Sequence, residues 1–121
     1  MGFLDRLRRA SPLTPAAAAA GAQQGALLLV DVREPAEYQT GHAPEAVNVP
    51  LSQVGSVLGD LSGQHAEIAF VCRSGARSAL AVRTAARSGI AARNVRGGML
   101  AWQRARLPTA AGHGSRVPTV G

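Results

Sequence analysis

The sequence predicts an α/β domain built around a mainly parallel sheet with helices on both faces. Short apolar runs of strand length alternate along the chain with longer stretches of helical pattern. This alternation is typical of β–α–β units, in which parallel strands are connected by helices. The chain has 121 residues, of which 46% are hydrophobic, and this suits one globular domain.

The first half of the chain predicts helices and strands with clear ends. Thr14 and Pro15 suit the N-cap and the first turn of a helix. The run Leu27–Val32 is a continuous apolar stretch, as expected of a strand covered on both faces. A second, shorter strand ends at Pro50, which cannot donate to a sheet. The predicted elements are helices over 15–24 and 35–40 and strands over 27–32 and 46–49.

The second half continues the alternation. Gly55 weakens a helical pattern that otherwise continues to Leu58. The longest helix ends at Gly89, and the pair Gly97-Gly98 separates the last short strand from the last helix. The predicted elements are helices over 51–58, 76–88 and 99–105 and strands over 67–71 and 94–96.

Chemically active side chains follow two of the predicted strands. Asp31 ends the first long strand, Arg33 comes just after it, and Cys72 ends the third strand. Right-handed crossovers place the carboxyl ends of parallel strands at one edge of the sheet. Ligands bind at that edge in sheets of this type. We therefore expect these side chains to lie close together at a binding site.

The charge of the chain favours small anions over nucleic acid as ligands. The formal net charge is +6, and every basic residue is arginine. A nucleic-acid surface would need a basic stripe with interleaved aromatic residues. Tyr38 and Trp102 are far apart in the sequence, and no such stripe is evident.

The single cysteine, Cys72, excludes an internal disulfide, and no Cys/His cluster has the spacing of a zinc site. We therefore expect no metal, no cofactor, and a reduced, cytoplasmic setting.

No apolar run approaches the length of a membrane span. The basic segment 1–10 is expected to be loosely ordered, and 109–121 to be a flexible C-terminal tail.

The segment after Cys72 predicts an anion-binding loop. An apolar strand stops at the thiol, turns through Arg73-Ser74-Gly75, and enters a helix near Ala76. Backbone N–H groups at such a turn point back toward the sulfur. These donors, the helix dipole and the nearby arginines favour the thiolate, which is the reactive form of cysteine.

Several blocks together resemble the rhodanese (thiosulfate sulfurtransferase) family in its single-domain form. The resemblance covers roughly residues 11–108. Its order and spacing are specific, although any one block alone would be weak. The blocks are Val30–Glu34 with Glu37 and Tyr38, Gly41–Pro44, Val47–Pro50, Cys72–Ser78, and Gly97-Gly98 with Trp102.

The resemblance implies a three-layer domain with a sheet of about five strands. It also implies that Cys72 carries a sulfane sulfur as a persulfide. Asp31 is similar to an aspartate that pairs with a loop arginine in this family, for which we expect Arg73. The anion cradle would be formed by the backbone amides of Arg73, Ser74, Gly75, Ala76, Arg77 and Ser78.

Loop length separates two related chemistries. Phosphatases related to this family have a cysteine, five residues and then an arginine. Here four residues separate Cys72 from Arg77, so the loop resembles the sulfurtransferase form. A small phosphatase or arsenate reductase is therefore disfavoured.

We expect a sulfurtransferase that moves sulfur from thiosulfate or a persulfide to cyanide or a thiol through Cys72. Because no second cysteine exists, the acceptor must be external: a low-molecular-weight thiol or a thioredoxin-like protein. The alternative is a persulfide carrier or partner-binding module with little turnover of free thiosulfate. Covalent catalysis by a low-pKa thiol needs no general base.

Other conspicuous residues receive structural interpretations. The three histidines, His42, His65 and His113, are expected to be structural or solvated. Gly97-Gly98 is expected to let the backbone pass close to the active loop. Surface ion pairs are expected for Arg33, Glu34 and Glu37.

Overall fold

The computed structural model describes residues 11–63 and 67–113. The predictions for 1–10, for His65 and for 114–121 lie outside these residues. The helices are α1 (Pro15–Gln23), α2 (Pro35–Thr40), α3 (Val54–Ser62), α4 (Ala76–Arg87) and α5 (Gly98–Arg104), with a 3₁₀ turn at Leu51–Gln53. The strands are β1 (Leu28–Asp31), β2 (Val47–Asn48), β3 (Ile68–Val71) and β4 (Ala92–Asn94).

The four strands form one parallel sheet in the order β2-β1-β3-β4. About five strands were expected and the described sheet has four; Leu13 adds a single parallel bridge to Val95 beyond β4. The order puts β1 and β3 side by side at the centre, with Asp31 opposite Val71. The residues that follow these two strands, including Cys72, are therefore neighbours at the carboxyl edge.

Side chains of the central strands alternate between two hydrophobic cores, because successive residues of a strand point to opposite faces. Leu28 and Val30 pack in the core that contains buried residues of α3 and α4. Leu29 packs in the other core, with buried residues of α1, α2 and α5. The three-layer α/β architecture predicted from the sequence is confirmed.

Two predicted elements differ from the structure. The stretch 51–58 was expected to be one helix, but the 3₁₀ turn precedes α3, which continues to Ser62. Gly55 and Gly59 are tolerated in α3 because both lie on its exposed side, whereas Val57 and Leu61 are buried. The last strand was expected at 94–96. In the structure it is β4 at Ala92–Asn94, because these residues pair with β3.

The chain continues past Pro108 in contact with the domain. Ala110 exchanges two backbone hydrogen bonds with His42, with N–O distances of 2.9 and 2.8 Å. The Gly112 amide donates to the carbonyl of Gln39 at 2.9 Å. The segment expected to be a flexible tail therefore begins with residues that pair with the turn after α2. None of the helices in the described parts of the chain is long and apolar enough to cross a membrane.

Candidate active site

Cys72 directly follows β3 and lies at the base of a short loop that enters α4 at Ala76. The loop can turn this sharply because Gly75, the N-cap of α4, has a φ of 114°, a backbone conformation open mainly to glycine. The cysteine residue is only 1% exposed, whereas its loop neighbours Arg73, Ser74 and Ala76 are exposed. The sulfur is therefore reached through the loop.

Three hydrogen bonds to the sulfur of Cys72 have donor–sulfur distances of 3.4 Å or less. The amide of Gly75 donates to Sγ at 3.1 Å and the amide of Ser78 at 3.4 Å. The Ser78 hydroxyl oxygen lies 3.3 Å from the same sulfur. Gly75 and Ser78 belong to the N-terminal end of α4, where amides have no partner within the helix. The fold thus aims unpaired backbone donors and the positive end of the helix dipole at one sulfur atom.

Burial raises the pKa of the Cys72 thiol, but hydrogen bonds to the sulfur outweigh this effect. The hydroxyl of Ser78 and the amides of Ser78, Gly75 and Ser74 lower the pKa, so that it lies below the usual value. Each of these donors stabilises the negative charge of a thiolate. A larger fraction of Cys72 is therefore ionised near neutral pH than of a free cysteine.

Asn94, at the end of β4, links the loop to the sheet. Its Nδ2 donates to the Gly75 carbonyl at 3.1 Å, and its Oδ1 accepts from the Ser78 hydroxyl at 2.5 Å. It thereby holds two of the groups that surround the sulfur. Sequence reasoning missed Asn94; the available signal was a polar side chain at the end of a strand, just before Gly97-Gly98.

Arg77 does not point into the loop. Its guanidinium forms two hydrogen bonds with the Glu37 carboxylate of α2, at 2.7 and 2.9 Å. Both side chains are 35% exposed. Arg77 lowers the pKa of Glu37 to about 2, so this carboxylate is ionised at neutral pH.

The predicted pairing of Asp31 with Arg73 is wrong. Asp31 instead accepts three hydrogen bonds from the guanidinium of Arg33, at 2.8 to 3.1 Å, and one from its amide at 3.0 Å. The guanidinium also donates to the Gly41 carbonyl at 2.7 Å. Arg33 lies only two residues further along the chain and occupies both carboxylate oxygens.

Arg33 is also not the surface residue that the sequence suggested. Its side chain is 7% exposed and that of Asp31 is 0% exposed, so the pair is buried below the sheet edge. Asn48 lies beside this pair and donates to the carbonyls of Asp31 and Arg33 at 3.0 and 2.9 Å. The side chains of Asp31 and Arg33 thus bind each other and the Gly41 carbonyl rather than residues of the loop.

Arg73 is exposed and has no ion-pair partner among the described residues. It lines an open cavity of about 480 Å³ together with Arg33, Glu37, Met99 and Gln103. The cavity lies next to the loop, because the amides of Met99 and Leu100 donate to the carbonyls of Cys72 and Arg73. Of the two arginines of the loop, Arg73 is thus the exposed one without an ion-pair partner in the described parts of the chain.

Gly98 lets α5 approach the loop closely, as the sequence predicted for the Gly97-Gly98 pair. A Cβ at this position would lie 2.5 Å from the carbonyl oxygens of both Cys72 and Arg73. The same approach allows the two hydrogen bonds from the start of α5 to the loop. Their N–O distances are 2.8 and 3.0 Å.

His42 has a structural position. It is 1% exposed, its ring stacks on Tyr38 with centroids 3.7 Å apart, and its Nδ1 donates to the Tyr38 carbonyl at 2.7 Å. His113 is exposed, with its Nδ1 3.2 Å from Nε2 of Gln39. Neither histidine contacts the sulfur of Cys72.

Known proteins with similar sequences contain this domain within longer chains. An HTH-type transcriptional regulator from Mycobacterium tuberculosis is 41% identical over 51 residues, which are 42% of this chain and 22% of that protein. A Bacillus subtilis protein named as a putative sulfur carrier, YrkF, is 40% identical over 55 residues, 46% of this chain and 29% of that one. The matches thus span less than a third of these relatives.

A solved structure of a longer protein contains a domain similar to this chain. The thiosulfate sulfurtransferase from Pseudomonas aeruginosa superposes with a TM-score of 0.75 at 30% identity, covering 86% of this chain and 20% of that one. The sequence model of the rhodanese-like domain matches residues 14–105, a range that contains the loop, both arginine pairs and Gly98. This chain therefore belongs to the rhodanese-like domain family.

Proposed function

We propose that this protein is a sulfurtransferase that carries a sulfane sulfur on Cys72, taken from thiosulfate or a persulfide and passed to an external thiol or cyanide. The proposal extends family membership to a particular reaction. Its main support is the group of donors around Sγ: two backbone amides and the Ser78 hydroxyl within 3.4 Å. Such an arrangement stabilises an anionic sulfur in a fixed position.

In the first half-reaction, the Cys72 thiolate attacks the outer sulfur of the donor. With thiosulfate, a new S–S bond forms on Cys72, the S–S bond of thiosulfate breaks, and sulfite leaves with the electron pair. The product is the Cys72 persulfide anion, so the total charge is conserved without a proton transfer. Backbone amides at the start of α4 stabilise the charge on the terminal sulfur.

The second half-reaction restores the thiolate. A thiolate or cyanide attacks the terminal sulfur of the persulfide, and Cys72 leaves as the anion that the loop stabilises. Cys72 is the single cysteine of the chain, so no internal thiol can take the sulfur. The proposed acceptor is a low-molecular-weight thiol or a thioredoxin-like protein. Because the thiolate must stay reduced between turnovers, we place the reaction in the cytoplasm.

Arg73 gives the donor its first contact with the protein. It is exposed beside the cavity next to the loop, while the sulfur of Cys72 lies below. A donor then places its outer sulfur in the loop and leaves the rest of the molecule at Arg73. The proposal therefore keeps the amides of the predicted cradle and Arg73 as substrate-binding groups.

The deciding experiment replaces the nucleophile. C72S should gain no sulfur on incubation with thiosulfate and should form no thiocyanate with cyanide, because a serine hydroxyl stays un-ionised at neutral pH. Intact mass spectrometry measures the added sulfur, and a colorimetric thiocyanate assay measures turnover.

The wild-type protein should gain one sulfur, which a reducing agent removes. Circular dichroism of C72S should match the wild type, since serine is close to cysteine in size. Sulfur transfer retained by a folded C72S would overturn the proposal.

A second candidate function is that of a persulfide carrier, for which the similarity to YrkF is the supporting observation. A carrier would receive sulfur from a partner enzyme and show little turnover with free thiosulfate. Slow loading by thiosulfate together with rapid loading by a desulfurase and cysteine would favour this function over the first.

A further inference from the structure

The charges around the loop nearly cancel. Two segments at this edge of the sheet, residues 31–37 from the last residue of β1 and residues 72–78 after β3, carry three arginines and three acidic residues. The Cys72 thiolate adds one negative charge to this neutral set. The side chains of these segments and the thiolate thus sum to one negative charge, so attraction of a donor anion is left to the backbone amides and the helix dipole, and repulsion by the thiolate grows with the charge of the donor.

Two of the three arginines are paired with carboxylates. Arg33 is buried and held by Asp31. Arg77 is held by Glu37 through two hydrogen bonds across the edge of the sheet. Of these three arginines, Arg73 is the one without an ion-pair partner in the described structure.

We infer that Glu37 sets the donor selectivity of this site by neutralising Arg77, so that monoanionic persulfides load Cys72 in preference to dianionic thiosulfate. The inference deepens the proposed function and rests on it. A persulfide anion brings one negative charge to the thiolate, whereas thiosulfate brings two. Without Glu37, the second charge would be balanced by Arg77.

Both loading reactions end in the same Cys72 persulfide and balance in charge. With thiosulfate, the outer sulfur moves to Cys72 and the dianion sulfite leaves. With a persulfide anion, the terminal sulfur moves to Cys72, the S–S bond of the donor breaks, and a thiolate leaves. The two donors thus differ in the charge that must approach the loop, which the experiment can isolate.

The test compares loading rates of Cys72 by thiosulfate and by the persulfide of 2-mercaptoethanol, a monoanion without other charges. In E37Q, Arg77 becomes an uncompensated cation beside the loop. Coulomb's law in water gives roughly a threefold change in rate for each negative charge on the donor if the two unit charges are on the order of 7 Å apart. Thiosulfate loading should therefore rise several-fold, and the ratio of thiosulfate to persulfide rates by about threefold.

The E37Q substitution should preserve the local structure. The Glu34 amide donates to Oε1 of Glu37 in the capping box, and the amide oxygen of glutamine can accept the same hydrogen bond. E45Q is the matched control. Glu45 is exposed and precedes β2, at the opposite edge of the sheet, so this variant has the same net charge as E37Q. Its rate ratio should equal that of the wild type.

Arg77 provides the converse variant. R77Q leaves Glu37 as an uncompensated anion, and the ratio should fall about threefold, by the same Coulomb argument. The double variant E37Q/R77Q removes both charges and should restore the wild-type ratio. Added NaCl should reduce the differences among these variants, because salt screens exposed charges.

The outcomes separate the two proposals. A ratio in E37Q equal to that in E45Q, or faster loading of the wild type by thiosulfate than by the persulfide, overturns the inference and leaves the sulfurtransferase proposal intact. Failure of wild-type Cys72 to gain sulfur from either donor overturns the sulfurtransferase proposal and the inference with it.

Discussion

The reactivity of Cys72 depends on which acceptor receives the hydrogen bond of the Ser78 hydroxyl. Its oxygen lies 3.3 Å from Sγ, 3.2 Å from the Gly75 carbonyl and 2.5 Å from Oδ1 of Asn94. A hydroxyl has one hydrogen, so these acceptors compete for it. When the sulfur is ionised, the charge on Sγ makes it the stronger acceptor. While the sulfur is protonated, the hydroxyl donates to Oδ1 of Asn94, and this hydrogen bond places its oxygen 3.3 Å from Sγ, ready to turn its hydrogen to the thiolate.

The first prediction is that S78A raises the pKa of the Cys72 thiol. Loss of a hydrogen bond to a charged group costs about 1.5–3 kcal/mol, which corresponds to a shift of roughly one pKa unit or more. The pH dependence of alkylation by iodoacetamide measures this pKa, because only the thiolate reacts.

The lowered pKa of Cys72 determines how the alkylation rate of each variant changes with pH. In the wild type the lowered pKa keeps alkylation fast at pH values where a free cysteine is largely protonated. In S78A the rate should fall at those pH values and recover at higher pH. S74A is the matched control, since it keeps the amide that lowers the pKa of Cys72 and should leave the midpoint unchanged. An equal midpoint in S78A and S74A would contradict the assigned role of the hydroxyl.

At the level of elements, the loop is held between the start of α4 and the start of α5. Amides of α4 donate to the sulfur, while the amides of Met99 and Leu100 in α5 donate to carbonyls of the same loop. The loop conformation is thus determined from both sides. This contact requires Gly98, whose φ is 60°.

We predict that G98A destabilises the domain and weakens sulfur loading. A Cβ at this position would lie 2.5 Å from two loop carbonyl oxygens, so α5 or the loop must shift. The free energy of unfolding should fall by roughly 1–3 kcal/mol, the range for most destabilising substitutions. Urea denaturation measures this change, and the loading rate with the persulfide donor reports the displaced loop.

G59A tests whether the effect of G98A is specific to the contact. Gly59 lies on the exposed side of α3, and a Cβ at this position would have no neighbouring atom within 4 Å. Alanine there should stabilise the domain by up to about 1 kcal/mol, because it favours the helix over the unfolded chain. Equal stability changes in the two variants would contradict the close-contact interpretation.

At the scale of the whole molecule, two hydrophobic cores enclose a sheet edge that carries a buried ion pair. The Asp31 carboxylate, at the end of central strand β1, is 0% exposed. Removing one partner of a buried pair leaves an uncompensated charge. The pair therefore links the integrity of the active edge to the stability of the domain.

We predict that D31N lowers the free energy of unfolding by about 3–5 kcal/mol, a large part of the roughly 5–15 kcal/mol typical of a domain. E67Q is the comparison, because Glu67 pairs with Arg93 at a site where the Glu67 side chain is 39% exposed. Its cost should stay below about 1 kcal/mol. Chemical denaturation of both variants measures the free energy of unfolding. Similar losses in D31N and E67Q would contradict the claim that burial makes the Asp31–Arg33 pair more important than an exposed pair.

Much of the architecture could be predicted from local patterns. Apolar runs identified β1 and β3, Thr14 and Pro15 marked the start of α1, and Gly98 was correctly expected at a close approach to the loop. These features depend on residues near each other in sequence, where backbone propensity and side-chain alternation act directly. The shift of β4 to Ala92–Asn94 shows the limit, because pairing with β3 determined its position.

The alternation of strands and helices around a parallel sheet and the position of Cys72 at the start of a helix follow from the amino-acid sequence alone, because strand, turn and helix signals act over a few residues. Which arginine meets which acid depends on the folded chain. Arg77 pairs with Glu37, 40 positions away in the sequence, and Asn94 reaches Ser78 from another strand. Asp31 pairs with Arg33 rather than Arg73. Such pairings depend on distances between side chains after folding, and charge and residue type alone leave several partners equally suitable.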